Sequence, residues 1–484
     1  HRMTNLSDLF PAGAGKQVSF VASGTLSNGQ AVGLKTDGTV EAITGATEGA
    51  GTPVVFEAAS SSQVSSTFDS ANNKIIIAYT DEGNSDYGTA IVGTVSGTSI
   101  SFGTAVVFES AGTIFTSCTF DSASNKVVIA YQDQGNTNQG TAIVGTVSAT
   151  AISFGTAVVF AVQAQNTSCS FDSASNKVVI SYTDANNLDY GTGVVGTVSG
   201  TAISFGTPVV FEFGSVLYVS ATFDSDSNKV VIAYRDGGNS DYGTAVVGTV
   251  SGTAISFGTA VVYETANSSW NSATFDSNSN KVVIGYRDGG NSDYGTVIVG
   301  TVSGTSISFG TAVVFEAAIS RYISATFDSN SNKVVIGYRD GGNSNYGTAI
   351  VGTVSGTSIS FGAPVVFETA ETSYISATFD SNLNKAVIAY QDNGNSSYGT
   401  AAVFTVGSTN NTSFIGITDA AISSAASGNV TIKGGIAVNG LSSLTPGSDY
   451  YAQADGTIST VSTGSAVKIG RAMSATSINL EYQS

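Results

Sequence analysis

Histidine, tryptophan, methionine and cysteine are nearly missing from this 484-residue chain: it holds one His, one Trp, two Met and two Cys. The only histidine is His1, so no imidazole is available along the chain for a metal site or acid–base work. Gly-x-Ser-x-Gly, His-Glu-x-x-His and Cys-x-x-Cys motifs are absent. Two cysteines cannot make a disulfide framework. Cys118 and Cys169 fall at one position of adjacent repeats, where other copies carry Ala221, Ala273 and Ala325, and they read as small buried side chains. The redox compartment is left open. Charged residues are only 11% of the chain, so Ser, Thr, Asn and Gly must cover most of the surface. The net charge of -18 opposes a phosphate backbone or an anionic membrane as partner. No apolar run approaches a membrane span. No apolar leader follows Met3, so a secretory signal is not expected; His1 and Arg2 read as additions before the natural start. The Asp-x-x-Asn-x-Asp loops miss the alternate-residue spacing of a calcium loop, and neither metal nor cofactor is expected.

One phrase is abundant. TFDSxxNKxxIAYxD recurs seven times with small substitutions, marked by Asp69, Asp121, Asp172, Asp224, Asp276, Asp328 and Asp380. Five of the gaps are 52 residues and one is 51. So constant a period means that each unit meets its neighbours with one geometry. A period near fifty with strand-like content predicts a propeller or another repeat array.

The copy around Asp276 reads as four strands. SATF (272–275) is short and small. DSNSN (276–280) is a turn by composition. KVVIGY (281–286) is a near-continuous apolar run rich in β-branched residues, the pattern of a strand buried on both faces. After the DGGNSD loop (288–293), YGTVIVGTV (294–302) is a third strand. A tight SGT turn leads to a fourth, ISFGTAVVF (307–315). The expected fold is all-β: a seven-bladed β-propeller of four-stranded antiparallel blades over 51–406. The seventh copy stops after its third strand, while TPVVFE (52–57) precedes the first copy as an orphan fourth strand. The N-terminal strand is therefore expected to complete the last blade and hide two sheet edges. The pattern resembles bacterial-sialidase-like and lectin-like propellers. The VSGTxISFGT turn occupies the place of their Asp-box, but lacks its aspartate and has Phe where Trp is usual. That resemblance covers 51–406 and speaks to fold, not to activity.

Strand alternation puts the turns after the first and third strands on one face and the loops after the second and fourth on the other. The turn face is monotonous. Lys74, Lys126, Lys177, Lys229, Lys281, Lys333 and Lys385 each follow a marker Asp by five residues, and local ion pairs are expected there. The loop face varies. Its fourth-to-first connections read SSSQV, AGTIF, AQNTS, GSVLY, NSSWN, AISRY and ETSYI. They place Phe115, Tyr218, Trp270, Arg321, Tyr322 and Tyr374 at or near one loop position. The second-to-third loops add Arg235, Arg287 and Arg339, expected to pair with the adjacent loop Asp. Aromatic rings beside Asp, Asn and Arg suit a glycan, whose C–H faces stack on rings while its hydroxyls find polar partners. The tyrosine of the Tyr-Gly pair recurs in every copy but one, which holds Gln139, and that constancy points to packing. The three arginines are spread over neighbouring copies and do not converge as a sialidase triad would. A glycosidase with two carboxylates stays open as an alternative.

The flanks, 1–50 and 407–484, look alike: LKTDGTVEAI (34–43) parallels YAQADGTIS (451–459), each with an Asp-Gly turn. One composite β-domain with the propeller inserted is expected. NLSDLFPAGAG (5–15), ASGTLSNGQAV (22–32), FIGITDAA (414–421), VTIKGGI (430–436), GSDYYAQADGT (447–457) and GRAMSATSINL (470–480) resemble modules of tailed-phage virion proteins, especially marine phage fibre and head-decoration proteins. The resemblance implies a virion component assembled in the host cytoplasm, with other virion proteins as partners, and it suits a homo-oligomer. The expected function is a non-enzymatic phage surface protein, fibre or capsid decoration, displaying the propeller for attachment to host glycans. The alternatives are a structural ornament without a specific ligand and a secreted cellular lectin.

Overall fold

The computed structural model describes residues 16–481 apart from 36, 44, 47, 410–412, 454–455 and 463–466. The NLSDLFPAGAG phrase and Asp455 of the second Asp-Gly turn lie outside the described residues. The chain is all-β, with single turns of 3-10 helix in some loops. It divides into two compact units: Gly49–Val406, and residues 1–48 together with 407–484.

In the larger unit each of the seven copies builds the same antiparallel strand group. In the fifth copy, residues 268–276 pair with Lys281–Asp288, which pairs with Tyr294–Ser303. On its outer side Tyr294–Ser303 pairs with Ser306–Phe309 and with the start of Val313–Asp328. All of Lys281–Asp288 except Lys281 and Arg287 is buried. Its apolar residues face both ways because other copies pack against both faces. Val231 and Val247 of one copy share a core with Ile284 and Tyr286 of the next. Each such aliphatic side chain contributes about 1.5–3 kcal/mol on burial.

The fourth strand departs from the sequence expectation. It is broken near Gly310, and its second half continues without a loop into the first strand of the next copy as one 16-residue strand, Val313–Asp328. The segments read as fourth-to-first loops are therefore strand. Register shifts along this strand, between Tyr294 and Thr296 of its partner, bend it from the outer edge of one copy to the inner edge of the next. Serine- and asparagine-rich composition suggested loops because it carries no apolar alternation to mark a strand.

The marker aspartates also do something other than ion pairing. They are 0–4% exposed, and in each the Oδ1 atom accepts two backbone N–H groups of the following turn, as Asp276 does from Asn278 and Ser279 at 3.0 Å each. Among the described residues none forms an ion pair with the lysine five positions on. Lys281 Nζ instead donates to the carbonyls of Ser279 and Asn280, and Lys333 Nζ to Thr353 Oγ1. A carboxylate already satisfied by backbone donors inside the hairpin has no need of an exposed ammonium.

Adjacent copies are joined by two recurring devices. On the inner strands, a serine hydroxyl accepts the backbone N–H of the next copy: Ser65 from Cys118, Ser117 from Cys169, Ser168 from Ala221, Ser220 from Ala273, Ser272 from Ala325 and Ser324 from Ala377. Ser376 accepts from Ser66 at 2.9 Å and completes the circle. The inner strands therefore surround a common axis. Farther out, a buried tyrosine donates to a glutamate on the preceding copy's outer strand, as Tyr286 does to Glu264 Oε2 at 3.0 Å. The third copy has Ala161 in place of that glutamate, close to the single deletion. Closure also uses the N-terminal strand as expected: Val54 and Val55 pair with Ala401 and Thr400, and Ala50 pairs with Phe404.

In the smaller unit, N- and C-terminal strands share one five-stranded sheet in the order Gln17–Val21, Ser427–Ile432, Phe414–Thr418, Ala31–Leu34, Val40–Ala42. A second sheet, from 436 onward, shares an apolar core with Ile43, Phe414 and Ile417 through Tyr450, Ile469 and Ile478. In the first Asp-Gly turn, Asp37 Oδ1 accepts the Thr39 N–H at 2.9 Å. Among the described residues no helix is long and apolar enough to cross a membrane.

Candidate functional site

Every inner strand carries a two-residue bulge near its start. In the fifth copy the register jumps between Ser269 and Ser272, so Trp270 and Asn271 have no cross-strand partner. The first bulge residue is left-handed in all seven copies: Gln63, Phe115, Asn166, Tyr218, Trp270, Tyr322 and Tyr374, with φ between 48° and 55°. None is glycine, so each holds a conformation that costs about 1–3 kcal/mol and persists only where its surroundings enforce it. Some of that enforcement comes from neighbouring copies. Gln63 Oε1 accepts the Phe115 N–H at 3.0 Å, and Asn271 Nδ2 donates to the Tyr218 carbonyl at 3.3 Å.

The bulges turn these side chains into a collar around the axis. Four consecutive positions are aromatic and touch in sequence. Ring centroids are 5.3 Å apart for Tyr218 and Trp270, 4.2 Å for Trp270 and Tyr322, and 5.3 Å for Tyr322 and Tyr374, all tilted. They line a pocket of about 200 Å³ with Gln63, Val64, Thr116, Val219, Asn271, Ile323 and Ile375. No charged side chain is in that lining.

The arginines stand behind the rings. The Arg235 guanidinium carbon lies 5.2 Å from the Tyr218 ring centre and that of Arg339 5.0 Å from Tyr322. Arg235 Nε is 3.4 Å from Asp241 Oδ1, close enough for an ion pair though not aligned as a hydrogen bond. Arg287 Nη2 is 2.5 Å from Asp293 Oδ2. Arg339 differs because its own loop has Asn345 at that place. It pairs instead with Glu371, which sits opposite Tyr346 on the outer strand, at 2.7 Å. Burial lowers the Arg339 pKa, while Tyr322 and Glu371 oppose that shift. Burial raises the Tyr374 phenol, helped by Tyr322 and Glu82, so it stays a neutral hydroxyl.

Of the residues singled out from sequence, Tyr218, Trp270, Tyr322 and Tyr374 line the pocket. Phe115 holds the equivalent collar position but is not in the lining. Arg235 and Arg339 support rings; Arg287 pairs with its loop aspartate; Arg321 faces Arg339 across the strand pair and is outside the lining. Sequence reasoning missed Gln63 and the second bulge residues Val64, Thr116, Val219, Asn271, Ile323 and Ile375. Their signal was present: each stands at, or one after, the place of an aromatic in another copy.

No protein-family model matches the chain, and no curated protein matches it. Solved propellers do. The BP39L lectin from Burkholderia pseudomallei aligns at TM-score 0.53 and 11% identity, over 73% of this chain and 98% of the lectin. The Cps50 (Swd1) β-propeller domain of Myceliophteria thermophila aligns at TM-score 0.51 and 7% identity, over 74% of this chain and 99% of that domain. At such identities the likeness is one of fold.

Proposed function

We propose that the propeller binds glycans without turning them over, and that the chain is a tailed-phage virion surface protein, a fibre or capsid decoration. The observation that carries the binding reading is the run of four touching aromatics, Tyr218 to Tyr374, around one axial pocket. Rings held in contact by their neighbours offer apolar area at low entropic cost, which suits the C–H face of a sugar. That a lectin shares the propeller fold agrees with this reading. The non-enzymatic part rests on the lining, which has no carboxylate, histidine or cysteine to act as acid, base or nucleophile on a bound ring.

The virion reading rests on the flank phrases that resemble phage fibre and head-decoration proteins. In it, the discontinuous terminal unit docks on other virion proteins, in a homo-oligomer if its Gly-rich strands assemble, and the propeller is displayed toward host glycans. Two experiments test these parts separately. A glycan array probed with the purified chain should give binding that the double variant Trp270→Ala/Tyr322→Ala loses by at least tenfold. No binding by the wild type, with no turnover of polysaccharides, would leave a structural ornament. Capsid or tail genes beside this one are expected; a neighbourhood without them would remove the virion reading.

A further inference from the structure

One cation of the propeller has no acid to meet. Of the four arginines in Gly49–Val406, Arg235 pairs with Asp241, Arg287 with Asp293 and Arg339 with Glu371. Among the described residues Arg321 has neither an ion pair nor a side-chain hydrogen bond. Acids are not scarce, since Asp and Glu outnumber Lys and Arg by 35 to 17. The Nε atoms of Arg235, Arg287 and Arg339 are sealed inside the fold, whereas no nitrogen of the half-buried Arg321 side chain is. Arg321 also stands directly across the strand pair from Arg339, which is 7% exposed. Side chains so placed are about 5 Å apart at Cβ, and like charges there destabilise the pair. Burial lowers the Arg339 pKa, and the Arg321 charge adds to that shift.

Two substitutions in this one copy create the surplus. The two copies before it place Ser269 and Leu217 where Arg321 stands, opposite Arg287 and Arg235. They also keep the loop aspartates Asp293 and Asp241, where this copy has Asn345. The copy thus gains a guanidinium and loses the carboxylate its neighbours use, and Glu371 is the one carboxylate paired with either cation. The surplus adjoins the pocket. Arg321 immediately precedes Tyr322 of the lining, and the Arg339 guanidinium carbon lies 5.0 Å from the Tyr322 ring centre. The same wall holds neutral groups left over for hydroxyls. Trp270 Nε1 and the Tyr218 and Tyr322 hydroxyls make no hydrogen bond within the chain, and none of them is sealed from solvent. A ligand with an apolar C–H face, several hydroxyls and one anionic group matches rings, free donors and unmatched guanidinium together.

Resting on the glycan-binding reading above, we infer that the ligand is an acidic saccharide, its ring against the aromatic arc and its anionic group paired with Arg321 beside Tyr322. Arg321 is then the specificity-determining residue, and because the surplus cation occurs in one copy, one such ligand binds per chain. Titration calorimetry of the full chain tests this with methyl glycosides of N-acetylneuraminic acid, glucuronic acid and sulfated galactose, against those of glucose and galactose. The first two carry a carboxylate and the third a sulfate ester, so the arm that binds names the source of the charge. At least one acidic glycoside should bind at one per chain, about tenfold or more tighter than the neutral ones, and added salt should erode that preference. Arg321→Gln should bring acidic binding down to the neutral level at unchanged melting temperature, since Arg321 makes no bond within the chain and Gln165 holds this position in another copy. Arg321→Lys keeps the charge and should keep most of the preference. Neutral glycosides that bind as tightly as acidic ones, or acidic binding that Trp270→Ala abolishes but Arg321→Gln leaves alone, would overturn this inference while the glycan-binding reading stands. If neither the array nor the titrations show any saccharide bound, both readings fall together.

Discussion

Ser220 is a half-buried serine on an inner strand whose hydroxyl accepts the Ala273 N–H at 2.9 Å. Removing the hydroxyl leaves the half-buried Ala273 N–H without its protein acceptor. Ser220→Ala is expected to cost about 1–3 kcal/mol, read as a lower urea midpoint at unchanged slope; a loss within error would show that the inter-copy bond contributes nothing. The same logic explains the two cysteines. Cys118 and Cys169 offer their N–H groups to Ser65 and Ser117 just as alanines do elsewhere, and both thiols are free, with burial pushing them up to about 12. At this scale the site was half legible. Aromatics that interrupt a 52-residue repeat stand out by eye, and Tyr218, Trp270, Tyr322 and Tyr374 were found that way. Thr116 was not, because a threonine among Val, Ile, Thr and Asn at one register position looks like ordinary variation until the bulge is seen to place it in the pocket wall.

Elements meet their neighbours most closely at the outer turns. A Cβ on Gly258 would lie 1.8 Å from the Thr305 carbonyl oxygen, a backbone atom that cannot swing aside. Gly258→Ala should therefore force the two strand groups apart at a cost of about 1–3 kcal/mol, measurable as a fall in melting temperature. Gly362→Ala is the control: no such carbonyl crowds it, because the seventh copy lacks the corresponding turn, and little change is expected. The second strands were readable from sequence because burial on both faces leaves an unbroken apolar run, as in Lys281–Asp288. The long crossing strands were not. Their middle residues alternate between a solvent-side edge and the axis, and the bulges spoil the period of two on which strand reading depends.

The whole ring should respond to acid in an unusual direction. Burial raises the carboxyls of Glu109, Glu264, Glu316 and Glu368, each accepting from a buried tyrosine, and those of Asp81, Asp184, Asp236, Asp288 and Asp392. A carboxyl raised in the folded state holds its proton more tightly there than in the unfolded chain. Its contribution is fully present below the unfolded pKa and is lost as pH rises through the folded one. Lower pH also relieves part of the self-repulsion of a chain carrying a net charge of -18. The melting temperature is expected to rise between neutral pH and about pH 5. The triple variant Glu264→Gln/Glu316→Gln/Glu368→Gln should flatten that rise, since a neutral side chain keeps the tyrosine's acceptor without the titration. A melting temperature that falls steadily over this range would contradict the account.

The period of the repeat, the doubly buried second strands and the closing N-terminal strand followed from sequence alone, because each leaves a local mark: a spacing, an apolar run, a missing segment. Tertiary structure decided what local marks cannot carry. Only the folded ring shows that the marker aspartates bind their own hairpin turns and not the lysines. Only there does Ser376 meet Ser66, 310 residues away in sequence. The collar belongs to the same class. Its members come from positions one repeat apart, which touch because a bulge turns each one toward a shared axis, and an axis is a property of the closed ring that no single copy possesses.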